Sequence, residues 1–320
     1  MPGTERDEAP NVSVAPRPGA GRAAPRAAGT LVIGIATTGR APILTPTLRA
    51  IAAQTRLPDL VILSAAAPED VEPGATEGLP FETRVMIGPK GSCPQRNAII
   101  ETCGADDVVL FLDDDFLIAP DFLSRLEDLF TAHPDVAMIT GTVLADGVRG
   151  PGLTPAEGAE VLAGAPAPEH PDAIRPVWAG YGCNVAVRMR PVLEHGLRFD
   201  EALPLYGWLE DVDFSGQIER HGRVVRASGL LGVHLGTKRA RSPGHRLGYS
   251  QIANPVYLLR KKTIRRRHAF KLMRRNVLSN LVYTPKPRPW TDSRGRLIGN
   301  LHAFWDLARG RCHPERVRHL

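Results

Sequence analysis

Asp106-Asp107-Val108-Val109-Leu110-Phe111-Leu112-Asp113-Asp114-Asp115-Phe116 is an apolar run that ends in three consecutive carboxylates. Val108 to Leu112 is too short for a helix of its own. It is β-branched or bulky throughout, the pattern of a strand buried on both faces. Three acids at a strand end repel one another unless something positive sits among them. In open α/β sheets, ligands bind outside the carboxyl ends of the strands, so this position suits a metal-bound phosphate. A hard divalent cation takes one or two carboxylates, with substrate phosphates filling the rest of its shell. The plainer alternative is a strand that runs into a helix cap, because Asp121 to Thr131 carries a helical pattern and acids favour helix starts.

Working outward, Leu31 to Ala36 repeats the buried-strand pattern and leads into the polar turn Thr37-Thr38-Gly39-Arg40. Leu44, Leu48 and Ile51 then fall at helical spacing, which predicts a helix from about Ile43 to Gln54. Leu60 to Leu63 reads as a second strand and Thr83 to Ile87 as a third, with a helix over Pro94 to Cys103 before the Asp106 segment. This alternation predicts the α/β class: a single doubly wound, mainly parallel sheet flanked by helices, with right-handed crossovers. Gly147 to Ala173, dense in Gly, Pro and Ala, reads as a flexible excursion or lid. Further helix is expected over Glu210 to His221, and strand from Val224-Val225 to Val233-His234. The tail from Asn254 to Tyr283 reads as helical and basic. Residues 1–29 have no apolar period and are expected to be a disordered leader.

A chain of 320 residues with 43% hydrophobic and 23% charged content has the composition of a globular domain with a full core. Its four cysteines form no Cys-x-x-Cys pair and no zinc spacing, which fits a reduced cytosolic protein. No stretch approaches a membrane span, and the N-terminus lacks a signal-peptide apolar core. Gly91-Ser92 is too sparse for a P-loop, and Gly180-x-Gly182 falls short of a dinucleotide fingerprint. The net charge of +6 hides an asymmetry, since no Asp or Glu occurs between Glu219 and Asp292. Within that interval Arg260 to Arg275 is the densest basic run, and such a block attracts polyanions, anionic bilayers or substrate phosphates.

Tyr206-Gly207-Trp208-Leu209-Glu210-Asp211-Val212-Asp213-Phe214 is the second strong signal. Flat apolar faces next to carboxylates suit sugars or nucleobases. An aspartate near a helix start can serve as a general base when an attacking hydroxyl comes within hydrogen-bond reach. Helix capping by Glu210, Asp211 and Asp213 explains the same residues equally well from this segment alone.

Several segments, in order, resemble the family 2 glycosyltransferases of the GT-A fold, from about Leu31 to His234. They are Ile33 to Arg40, Gln95-Arg96-Asn97-Ala98, Leu112-Asp113-Asp114-Asp115, Gly182 to Arg188 with Phe199-Asp200-Glu201, Glu210-Asp211-Val212-Asp213, and Val233-His234. Within that family the chain resembles the bacterial exopolysaccharide and capsule enzymes. The resemblance implies an inverting hexosyltransferase-like enzyme that moves a sugar from a nucleotide-diphosphate donor to an acceptor hydroxyl, on a glycan, a lipid-linked sugar or a small molecule. It implies a nucleotide-binding half over residues 30–116, an acceptor and catalytic half over 117–245, and a basic helical extension over 246–320.

By the same resemblance Asp211 is the catalytic base. Ala36, Thr37, Thr38, Arg40, Ser64, Arg96, Asp113, Asp114 and Asp115 bind the donor, while Trp208, Glu210 and Gly182 contact the acceptor. Asp115 and His234 hold Mn²⁺ or Mg²⁺. Lys238, Arg239, Arg241 and His245 form a loop over the diphosphate. Ser64 stands where many relatives carry a base-binding aspartate, a departure that weakens the case for a UDP-sugar. The implied setting is cytoplasmic and peripheral on the inner face of the plasma membrane, through Arg260–Arg275, with no nucleic-acid partner. Two other classes stay open on the residues alone: a polyanion- or membrane-binding module on an α/β scaffold, and a metal-dependent nucleotidyltransferase.

Overall fold

The computed structural model describes residues 29–238 and 243–320; nearly all of the expected leader lies outside the described residues. The first half alternates as expected: β1 (Leu31–Thr37), α1 (Ala41–Ala52), β2 (Leu60–Ala65), β3 (Glu82–Ile87), α2 (Ser92–Ile100) and β4 (Val108–Asp113). Helix α1 starts earlier than its apolar spacing predicts because a proline occupies its first turn, where a fixed φ and a missing N–H cost nothing. The second half comprises β5 (Phe116–Ile118), α3 (Phe122–Ala132), β6 (Val136–Asp146), α4 (Pro155–Ala163), β7 (Ile174–Pro176), β8 (Asn184–Arg188), α5 (Met189–Glu194), α6 (Glu210–Ile218) and β9 (Arg223–His234).

The strands make one sheet in the order β3-β2-β1-β4-β8-β6-β9-β5, with β7 also on β9. Pairing is parallel from β3 to β4 and again between β6 and β9, whereas β8, β5 and β7 run antiparallel to their neighbours. The α/β sheet flanked by helices is therefore as expected, with its parallel character concentrated in the first half. Strand residues sort by period two. Ile33, Ile35, Leu110 and Leu112 face a core closed by α1 and α3, while Val32, Val109 and Phe111 face one closed by α2, α5 and α6.

The expected lid is not an open excursion. Thr154 and Glu157 form a capping box at the start of α4. A Cβ on Gly158 would lie 2.6 Å from Leu235 and 3.0 Å from Leu117, so the absent side chain lets α4 press onto β9 and β5. At Gly147 and Gly158 the glycines mark close packing.

The tail is also more divided than its pattern suggests. It forms α7 (Gly244–Lys261), α8 (Arg266–Tyr283) and α9 (Ser293–Ala308), and Lys262 ends α7 in the left-handed region with φ 64°. Tyr249, Ile252, Met273 and Ala303 give these helices a small core. Asn280 donates to Gln251 and Asn300, each at 2.8 Å, and pins the three helices together. No helix among the described residues is long and apolar enough to cross a membrane.

Candidate active site

The carboxyl ends of β4, β6 and β9 meet at one edge of the sheet. In register, Phe116 of β5 and Asp146 of β6 both pair with His234, the last residue of β9. This brings His234 beside the turn that carries Asp114 and Asp115. Its Nε2 lies 3.3 Å from Asp115 Oδ1 and 3.7 Å from Asp113 Oδ2, and its Nδ1 lies 3.2 Å from Asp146 Oδ1. One ligand atom from each of Asp113, Asp115 and His234 falls within 4.8 Å of the others. The backbone N–H of Thr237 donates to Asp115 Oδ2 at 2.8 Å, while the buried Oδ1 faces His234 Nε2 at 3.3 Å.

Two carboxylates and an imidazole whose ligand atoms converge at a buried strand end fit a divalent cation. The alternative neutraliser is a proton. Burial acts against a charged His234, but hydrogen bonds to Asp115 and Asp146 and the field of nearby acids prevail, and the ring is pushed up to about 10. Burial likewise pushes Asp115 up, and His234 and Arg40 outweigh it, holding that carboxyl below its ordinary range. Either way, the site demands positive charge.

The middle acid behaves differently from its neighbours. Asp114 is fully buried; its Oδ2 accepts from Thr37 Oγ1 at 2.7 Å and its carbonyl from Thr47 Oγ1 at 2.7 Å. Its carboxylate is thus turned into the domain, away from the donor contact expected of it. Burial raises its pKa despite Arg40, whose Nη2 stands 3.2 Å away while Nη1 stands 3.7 Å from Asp115. Asp114 therefore fixes Arg40, which stays partly open to the groove.

Ser64 is buried within β2, which runs two residues further than its pattern suggests, so its hydroxyl is not at the strand mouth. The acid near that mouth is Asp70, in the turn after β2. It accepts from the backbone N–H groups of Gly39, Ala66 and Ala67 and from Thr38 Oγ1. The only sequence signal for it was an acid in a Pro68-Glu69-Asp70 turn. Ala36, paired in register with Asp113, and Thr38 are half-buried at the end of β1.

Arg96 of α2 joins the two acidic clusters. Its buried guanidinium sets Nη2 3.0 Å from Asp113 Oδ1 and 2.8 Å from the Gly182 carbonyl, with Nη1 2.8 Å from Glu210 Oε1. Five donors on a rigid fork suit such a three-way junction. Gly182 turns the other way as well: its N–H donates to Asp211 Oδ2 at 2.9 Å. A Cβ there would stand 3.2 Å from both the Asp211 and Glu210 carboxylates, so a glycine keeps the approach open.

The acids of α6 sit on strained backbone. Leu205 and Leu209 adopt φ of 63° and 74°, left-handed values that non-glycine residues rarely hold, on either side of Tyr206-Gly207-Trp208. Burial and the Asp211 charge push Glu210 up to about 8, against the pull of Arg96. Burial also raises Asp211, against the N–H groups of Gly182 and Val212. A carboxylate whose pKa is raised is a stronger base. Trp208 is half-buried against the second core, with its carbonyl accepting from Asn254 at 2.6 Å. Tyr206 is the aromatic of the pair that faces solvent. Lys238 Nζ donates to the carbonyls of Gly147 and Val148, whereas Arg239 and Arg241 lie outside the described residues.

Residues 32–160 match Glycosyl transferase family 2. No curated protein matches the chain. Among solved structures, S. aureus TarS 1–349 in complex with UDP-GlcNAc aligns at TM-score 0.54 and 14% identity, over 90% of this chain and 83% of that one. The complex of TarS 1–349 with UDP gives TM-score 0.54 and 13% identity, over 90% and 82%. This chain spans 44% of a longer TarS structure. At such identities the structural likeness speaks for the fold, which is the GT-A scaffold. The family match covers residues 32–160, the segment from β1 into α4 that carries Arg40, Arg96 and the three aspartates.

Proposed function

We propose that this chain is a glycosyltransferase that moves a sugar from a nucleoside-diphosphate donor to an acceptor hydroxyl in one in-line displacement that inverts the anomeric centre. The observation that carries the reading is the Arg96 junction. One buried guanidinium links Asp113, on the cation side, to Gly182 and Glu210, which frame Asp211. A donor station and a base station are thereby held in fixed relation, as attack on one face and departure from the other require.

In this reading residues 30–116 bind the nucleotide, 117–245 supply the acceptor side, and 246–320 are an extension. Asp211 takes the acceptor hydroxyl proton as that oxygen bonds to the anomeric carbon. The bond from that carbon to the diphosphate breaks, and its electron pair leaves with the nucleotide. Arg40 stands beside the emerging charge, and Ala36, Thr37 and Thr38 line the approach to the nucleotide. Glu210 and Gly182 hold the base in place, and Trp208 with Tyr206 walls the acceptor side. A divalent cation, Mn²⁺ or Mg²⁺, held by Asp113, Asp115 and His234 supplies Lewis-acid neutralisation of the leaving diphosphate. TarS bound to UDP-GlcNAc supports a nucleotide-sugar as the donor class. A nucleotidyltransferase or a bare binding module gives the Glu210–Asp211 station no task.

The extension supports work at the cytoplasmic face of an anionic membrane, on an acceptor such as a lipid-linked sugar. The contact is narrower than the whole Arg260–Arg275 run. Lys261 is committed to Asp200 and Asp213 at 2.6 and 2.7 Å, and Arg265 to Glu219 at 2.8 Å.

A panel of nucleotide sugars in a thermal-shift assay, with and without Mn²⁺, tests the donor side. A nucleotide sugar that stabilises the protein only with the cation supports the reading. Stabilisation by nucleoside triphosphates alone, with release of pyrophosphate, would overturn it.

A further inference from the structure

Of the thirteen large apolar side chains left exposed among the described residues, eight lie on α8 and α9. The sequence pattern does not reveal this, because a loose apolar spacing in a basic helix does not say which positions are covered. On α8, Phe270, Leu278 and Leu281 recur at helical spacing and are 60%, 52% and 54% exposed. Arg267, Lys271, Arg274 and Arg275 are exposed on the same side of the helix, and no acid occurs anywhere in α8.

Helix α9 repeats the composition. Ile298, Leu301 and Trp305 form an exposed stripe with exposed Arg294 and Arg309 toward its ends. The Arg309 guanidinium lies 4.0 Å from the centre of the Trp305 ring. The Asn280–Asn300 hydrogen bond joins the helices between these stripes. Leu281 and Leu301 each follow one of the bonded asparagines, so the two apolar strips flank one contact.

We propose that the α8–α9 face is an interfacial docking surface for an anionic bilayer, with its leucines and aromatics in the headgroup boundary and its cations on the phosphates. The composition selects this occupant. Aliphatic side chains in a basic field gain nothing from nucleic acid, yet they are what an interfacial helix buries. A second copy would bring the same unpaired cations against one another. Anionic lipid satisfies both halves of the face, each well-placed cation adding attraction near the surface.

The position also suits an acceptor held in that surface. His268, in the first turn of α8, packs against Trp178 with ring centres 4.3 Å apart and the planes tilted by 35°, and Trp178 belongs to the loop that leads to Gly182. The inference rests on the surface contact in the reading above and is independent of the transfer chemistry.

Co-sedimentation with vesicles tests it, using phosphatidylcholine alone and phosphatidylcholine mixed with phosphatidylglycerol. The full chain is expected to partition onto the anionic vesicles and to be released by salt. Replacing Lys271, Arg274 and Arg275 by Gln should lower the partition coefficient on the order of 100-fold. Leu301→Ser with Trp305→Ser should lower it on the order of 10-fold. Both variants should keep the wild-type melting temperature and turnover of a water-soluble acceptor, and an Asp211→Asn enzyme should bind vesicles as the wild type does. Equal binding to neutral vesicles, or binding to RNA in place of anionic vesicles, overturns the proposal. So does a dimer in sedimentation velocity that the Leu301 and Trp305 changes abolish.

Discussion

His234 Nδ1 stands 3.2 Å from Asp146 Oδ1, across the register pair that joins the ends of β9 and β6. The second Asp146 oxygen accepts from Tyr181 Oη at 3.1 Å, so the carboxylate is itself oriented. A histidine whose Nδ1–H is given to a carboxylate has its Nε2 aimed at what lies opposite, here Asp113 and Asp115, where either a cation or a second ring proton can sit between them. Such outer partners set the ring's angle and its basicity.

Asp146→Asn should therefore weaken Mn²⁺ binding about 10- to 100-fold without removing any ligand. Titration calorimetry or the free-Mn²⁺ paramagnetic resonance signal measures this with no turnover needed. Unchanged affinity would show that His234 is aligned by the fold alone.

Asp211→Asn should lower kcat by about 10²- to 10⁴-fold, the usual worth of a positioned base, while the donor Kd stays near the wild-type value. Single-turnover release of nucleoside diphosphate, with donor binding measured separately, distinguishes the two. An equal loss in both would recast Asp211 as a folding residue.

Arg96→Ala should cost about 3–5 kcal/mol, because it strands the buried Glu210 and leaves Asp113 without its nearest cation. Arg96→Lys should recover only part of this, since one ammonium cannot span Asp113, Gly182 and Glu210 together. Urea midpoints report both values. A wild-type midpoint for Arg96→Ala would mean the junction contributes no net stability.

Glu210 carries a sign that can be tested by pH. Its carboxyl is raised from 4.5 to about 8 on folding, so the native state keeps a proton that the unfolded chain releases. The stability it contributes is fully present below 4.5 and is lost as pH rises towards about 8. Glu210→Gln should flatten this part of the profile, so the variant's stability relative to wild type improves between the two limits. Urea unfolding of both proteins across that window gives the difference directly, and a constant difference would place Glu210 in its ionised form throughout.

Local signals reached as far as local physics extends. The alternating apolar strands before Asp113, the polar turn at Arg40 and the acids at the start of α6 could be read because strand burial and helix starts leave marks within a few residues. Relations between distant segments were not legible in this way. The three aspartates look alike in sequence, yet Asp115 faces His234, Asp113 is shared between His234 and Arg96, and Asp114 is turned inward onto Thr37 and Arg40. Asp146 and Tyr181 had no signal at all, since their roles depend on which strands become neighbours. Ser64 was misplaced by a strand two residues longer than its pattern.

The sequence by itself determined the strand that ends in carboxylates, the alternating α/β order and the cationic tail, because periodicity, residue shape and charge act over short distances. Tertiary structure alone decided which acid meets the histidine, how Arg96 joins two clusters nearly a hundred residues apart, and which apolar residues of the tail remain uncovered. Those outcomes follow from sheet order and helix packing, which depend on contacts that no single segment contains.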